Sequence, residues 1–149
     1  MAVRIQREVF DTGAEIARLT EGREDVGAVV TFTGLCRSDG ETGPIRAMTL
    51  EHYPGMAEEE LGRLEERARR RWPLQDCLIV HRYGRLVPGD PIVLVVTLSS
   101  HRQAAFEAAS FLMDFLKTSA PFWKQEEGAG GEQWVEAKTT DDTARDRWS

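Results

Sequence analysis

The sequence predicts an α+β fold, and three observations carry that reading. Strand-like runs come in groups, with long helices between the groups and not after every strand, in the order strand, strand, helix, strand, strand, helix, hairpin. Residues 91–98 (PIVLVVTL) form the most β-rich run in the chain, as a buried central strand requires. That run passes directly into a long apolar stretch with helical spacing, residues 101–116, which ends ahead of Pro121. With 149 residues, 41% hydrophobic and 30% charged, the chain is expected to be one globular domain, 1–149, whose polar tail 139–149 forms a short helix or is loosely held.

Taken in order, residues 3–10 alternate weakly and suit an edge strand. Residues 12–19 suit a short helix with Ile16 and Leu19 facing inward. Residues 26–34 (VGAVVTFTG) are β-rich and read as a central strand, followed by a polar, glycine-bearing loop over 35–44. Residues 45–52 form a further strand. Pro54-Gly55 then turns the chain into a helix over about 56–72, with Glu58, Glu59 and Glu60 at its start and Arg69, Arg70 and Arg71 at its end. That charge order suits the helix dipole and reads as a solvated face, not a nucleic-acid patch. Residues 77–83 are a strand, and Pro88-Gly89 makes a tight turn before 91–98. Ser100 with Gln103 fits a capping box that starts the second long helix. Residues 125–138 read as a hairpin around a glycine-rich turn.

The formal net charge of -6 and pI near 5.1 argue against a nucleic-acid or membrane-surface binder, so any basic cluster is local. Cys36 and Cys77 match no metal or redox spacing, and no metal ligand set or cofactor motif is visible. Few cysteines, no secretory leader and no apolar run of membrane-spanning length lead to the expectation of a cytoplasmic protein.

A small set of residues suggests chemistry. His101 and Arg102 fall in a first helical turn, where backbone N–H groups and two cations would seat a phosphate or carboxylate; two solvated polar residues are the plainer reading. Arg37 stands where a strand gives way to a loop, a place suited to ligand contact and equally to a solvated side chain. Lys117 suits a helix C-terminus, and Lys124 follows just past the proline. His81, with no partner pattern around it, reads as a structural strand residue.

Several segments together resemble the MoaE family, the catalytic (large) subunits of molybdopterin synthase. They are GAVVTFTG at 27–34 with Arg37, LEHYPGM at 50–56, HRYG at 81–84, SHR at 100–102 with AFEA at 105–108, MDFLKT at 113–118, APFWK at 120–124 and WVEA at 134–137. The resemblance runs from about residue 26 to 138. It implies an α/β-hammerhead fold with an additional antiparallel β-hairpin, and a homodimer that binds two copies of a small ubiquitin-like sulfur carrier of the MoaD type, a heterotetramer. It implies a sulfurtransferase that converts cyclic pyranopterin monophosphate, a pterin phosphate, into molybdopterin for molybdenum cofactor biosynthesis. The sulfur arrives as a thiocarboxylate on the carrier's C-terminal Gly-Gly. No cofactor and no metal are expected in this step, nor any nucleic-acid or membrane partner. The resemblance places the catalytic lysines at Lys117 and Lys124 and the substrate-binding group at Arg37, His101, Arg102 and Lys138. At Lys138 the family often has arginine, and lysine keeps the charge without the planar two-point grip. Cys36 is expected to have no catalytic role. Two rivals stand beside this reading: a module that only docks a ubiquitin-like tail, and a lysine Schiff-base lyase acting on a phosphorylated carbonyl compound.

Overall fold

The computed structural model describes residues 3–40, 43–118, 122–128, 131–135 and 139–148. The elements are β1 (Val3–Gln6), α1 (Thr12–Thr20), β2 (Ala28–Leu35), β3 (Asp39–Gly40), β4 (Gly43–His52), α2 (Met56–Arg71), β5 (Leu74–Arg82), β6 (Gly84–Leu86), β7 (Pro91–Ser99), α3 (Arg102–Leu116), β8 (Phe122–Gly128), β9 (Gly131–Val135) and α4 (Thr139–Asp146). The fold is α+β, as expected. One sheet has the order β1-β5-β7-β2, with β1 parallel to β5 and the other pairs antiparallel. The second has the order β3-β4-β8-β9, and β6 also pairs with β4.

The first sheet is covered on both faces, and the period of two along its strands divides the core. Cys77 and Ile79 of β5, with Val93 and Val95 of β7, pack against Leu61, Leu64 and Ala68 of α2 and Phe111 and Leu112 of α3. Leu78, Val80, Leu94, Val96 and Leu98 face the opposite way and pack with Phe10 and Leu19. Burial on both faces explains why 91–98 reads as a continuous apolar run and not as an alternation. Thr97, the polar residue in that run, is fully buried and donates from Oγ1 to the Ala105 carbonyl of α3, 2.7 Å away.

Three local expectations are corrected. β2 is an edge strand, not a central one: it pairs with β7 at the end of the sheet and leaves Val29, Phe32 and Leu35 exposed. β-propensity reports a fit to a pleated surface and is silent on position within the sheet. In α1 the buried residue is Glu15, paired with Arg4 and Arg18, while Ile16 and Leu19 are half-buried. The capping box at Ser100 does not form. His101 is the N-cap and makes no side-chain cap bond, because the Ser100 hydroxyl accepts from Gln75 and donates to the Asp25 carbonyl, and Gln103 donates to Glu107. The sequence neighbourhood cannot reveal those long-range partners.

The segment before β2 is pressed against the start of α3. The Gly27 N–H donates to the Ser99 carbonyl at 3.0 Å, and a Cβ on Gly27 would lie 2.1 Å from the Ser100 carbonyl oxygen. The obstacle is backbone, which no rotamer change relieves. Gly27→Ala should therefore cost about 3 kcal/mol, as severe overpacking does. For a chain of this length that is a fall in Tm of about 10 °C, measurable by calorimetry.

Candidate active site

The second sheet and the end of α3 enclose a cavity of about 750 Å³. β8 builds one wall. Alternation along the strand puts Phe122, Lys124 and Glu126 on one face, and all three line the cavity. Lys124 lies opposite Leu50 of β4 on one side and Val135 of β9 on the other, so the strand holding it is paired along both edges. Lys117 enters from another direction. It caps α3, with its backbone N–H bonded to the Met113 carbonyl at 3.1 Å, and it lines the same cavity.

Arg37 reaches the cavity from the end of β2. The backbone before it is fixed: the Cys36 N–H donates to the Asp90 carbonyl and the Gly89 N–H donates to the Cys36 carbonyl, each at 2.8 Å. The turn predicted at Pro88-Gly89 thus anchors the loop, with Gly89 at φ 95, where glycine carries no steric cost. Arg37 is exposed and sits on the cavity lining. Three of the expected site cations, Arg37, Lys117 and Lys124, are therefore gathered around one space.

Two further residues belong to this wall. Glu126 is 2% exposed, and its carboxylate lies 3.8 Å from Lys124 Nζ. It packs so closely on Gly40 that a Cβ there would lie 2.3 Å from a carboxylate oxygen. A buried carboxylate beside a lysine offsets the lysine's charge and fixes its position. The signal for Glu126 was present in the sequence, since it stands two residues from Lys124 on a strand. Cys36 also lines the cavity; burial, then the nearby Asp90 and Glu126, push its thiol pKa up, while Lys124 pulls it down. The net rise keeps it a thiol at neutral pH. Among the described residues no group of three or more His, Cys, Asp or Glu is placed to hold a metal ion. No helix among them is long and apolar enough to cross a membrane.

The structure sets His101 and Arg102 apart from this cavity. Both are exposed at the start of α3, whereas Lys117 caps its other end. A helix of 15 residues separates them by about 22 Å. Within one chain the pair does not share a small ligand with the lysines. Lys138 lies outside the described residues.

The family profile described as MoaE protein matches residues 5–119. The chain belongs to the MoaE family. A protein of Mesorhizobium japonicum named molybdopterin synthase catalytic subunit is 61% identical over 148 residues, covering 98% of this chain and 92% of that one. The molybdopterin biosynthesis MoaE protein from Burkholderia ambifaria has a solved structure that matches with a TM-score of 0.85 and 50% identity, covering 99% of this chain and 98% of that chain. The crystal structure of molybdopterin synthase from Staphylococcus aureus matches with a TM-score of 0.80 and 32% identity, covering 89% of this chain and 95% of that chain. The profile match ends before β8, but the likeness to the Burkholderia ambifaria MoaE structure extends over both sheets, so the two-sheet arrangement that encloses the cavity belongs to the family fold.

Proposed function

We propose that this MoaE-family chain is the catalytic subunit of a molybdopterin synthase and that the cavity is where sulfur is transferred. The donor is the C-terminal thiocarboxylate of a small ubiquitin-like carrier, and the acceptor is cyclic pyranopterin monophosphate. The observation that carries this reading is the convergence of Lys117, Lys124 and Arg37 on one cavity of about 750 Å³. An anionic carrier tail and a phosphorylated pterin both need cations, and here they find them together.

The residue types suit each step. The thiocarboxylate sulfur attacks an oxygen-bearing side-chain carbon of the pterin; the C–O bond there breaks, its oxygen leaves with the electron pair and takes up a proton, and a thioester then joins carrier and substrate. Water then adds to the thioester carbonyl. The tetrahedral oxyanion collapses, releasing the carrier as its carboxylate and leaving the sulfur on the pterin as a thiolate. Lys117 contacts the thiocarboxylate and later the oxyanion. Lys124, held by Glu126, orients the pterin and moves the proton released by the attacking water. A second carrier repeats the sequence to complete the dithiolene.

The phosphate site is completed by a second copy of the chain. β2 is an open edge of eight residues. It begins at Ala28, paired with Ser99 just ahead of His101, and ends at Leu35, on the rim of the cavity. Antiparallel pairing of two β2 edges about a twofold axis sets the start of one strand against the end of the other. A second copy's His101 and Arg102 then approach Arg37 of the first. The exposed Val29, Phe32 and Phe106 supply apolar area for such an interface. Lys138 is assigned to the same phosphate group.

The test is a coupled assay in which the purified chain is mixed with thiocarboxylated carrier and cyclic pyranopterin monophosphate, and molybdopterin is read as its oxidised fluorescent derivative. Product is expected, and only with the thiocarboxylated carrier. Tight carrier binding without product would favour a docking module. Consumption of the pterin without carrier, trapped by borohydride, would favour a Schiff-base enzyme.

A further inference from the structure

His81 lies in β5, is 8% exposed, and lines the cavity beside Lys117 and Phe122. Its Nδ1 is 2.8 Å from the Arg82 carbonyl oxygen. A carbonyl can only accept, so Nδ1 carries the hydrogen and Nε2 of the neutral ring holds a lone pair. The ring is stacked on Phe122, 3.9 Å between centroids at 15°, so both its tautomer and its plane are fixed. Nε2 has no hydrogen-bond partner among the described residues. It is not sealed in either, because the one sealed, partnerless side-chain polar atom among them is Gln75 Oε1. Nε2 therefore opens on the cavity.

The surroundings keep this ring neutral. Burial lowers its pKa most, and the charges of Lys117 at the end of α3 and His52 on β4 add to the fall, to about 4, against the raising effect of the Arg82 carbonyl. The Arg82 guanidinium is turned away, donating to the Arg7 and Pro91 carbonyls, while Lys124 and Glu126 of β8 line the same cavity. Arg37, Lys117 and Lys124 are donors only. A pterin ring presents N–H donors as well as acceptors, and the cavity must meet those donors too.

We infer that His81 is a substrate-binding residue whose Nε2 accepts a hydrogen bond from an N–H of the bound pterin, an inference that rests on the pterin reading of the cavity. It acts as a fixed neutral acceptor and takes no proton during turnover.

Two variants separate this role from a structural one. His81→Asn keeps a donor at the Nδ1 position and leaves nothing at Nε2; His81→Gln carries a polar atom to the Nε2 position. His81→Asn should raise the KM for the pterin about tenfold, the loss of one hydrogen bond to a buried acceptor. Its kcat and carrier affinity should stay near wild type. Both variants lose the ring stacked on Phe122 and should unfold somewhat earlier, yet His81→Gln alone should recover most of the pterin affinity. On the wild-type chain, nitrogen NMR of the three histidines should show one ring that stays neutral with Nδ1–H from pH 8 to pH 5. The Nε2 resonance of that ring should move when pterin is added. An unchanged KM in His81→Asn would overturn the inference, as would an Nε2–H tautomer or an Nε2 resonance indifferent to pterin. If the wild-type chain makes no molybdopterin, the reading of the cavity fails instead, a result distinguishable from any of these.

Discussion

Lys117→Ala and Lys124→Ala should each lower molybdopterin formation by about 100-fold or more. Both ammonium groups border the same cavity, where water is displaced by ligand and each charge acts at short range on the thiocarboxylate or the oxyanion derived from it. Loss of a positioned proton-transfer group or of an oxyanion donor has that magnitude in enzymes generally. The two variants should differ in stability. Lys117 is exposed at a helix end, so its truncation should leave Tm within a degree or two. Lys124 is 3.8 Å from Glu126, a carboxylate only 2% exposed, so truncation removes a cation from beside a buried carboxylate and should lower Tm as well. Carrier affinity, measured by calorimetry, separates lost chemistry from lost docking. Activity near wild type in both variants would remove the lysines from the mechanism.

Arg102→Ala and Lys117→Ala chains, each nearly inactive alone, should regain activity when they share a dimer. His101 and Arg102 stand about 22 Å along α3 from Lys117, too far to hold one small substrate with it. If two β2 edges pair, each cavity takes its lysines and Arg37 from one copy and His101 and Arg102 from the other. In a mixed dimer one site then carries both lesions and the other carries neither. Co-expressed with two different tags and purified through both, that dimer should show about half the wild-type rate, a consequence of twofold symmetry. A mixed dimer no better than the average of its parents would place the anion pair and the lysines at separate sites. A chain that stays monomeric in the presence of carrier would remove the shared site altogether.

The extent to which the sequence disclosed these features follows from the range of the forces involved. The helix at 56–71 and the strand at 91–98 were legible because their signals, apolar spacing and charge order along a dipole, lie within a few residues of one another. A hairpin over 125–138 was legible from its glycine-rich turn, an equally local signal, but its first strand begins at Phe122 and so takes in Lys124, which the sequence reading left outside it. The edge position of β2 was not, because hydrogen-bonding partners 60 residues or so away decide it, and the Val29-to-Phe32 run has the propensity of either place. Ser100 illustrates the same limit. Its spacing to Gln103 fits a cap, yet Gln75 and Asp25, distant in sequence, hold its hydroxyl.

By itself, then, the sequence determined the α+β class, the order of the elements and, through its resemblance to the MoaE family, the residues to suspect. Periodicity and motif spacing are properties of a linear chain and survive without coordinates. Only the tertiary structure decided which of those residues meet. It brought Arg37, Lys117 and Lys124 from three elements to one cavity and left His101 and Arg102 at the far end of α3. It also buried Glu126 beside Lys124 and turned the lone pair of His81 inward. Convergence depends on how two sheets pack across a helix, and that is set by burial summed over the whole core, which no short window of residues contains.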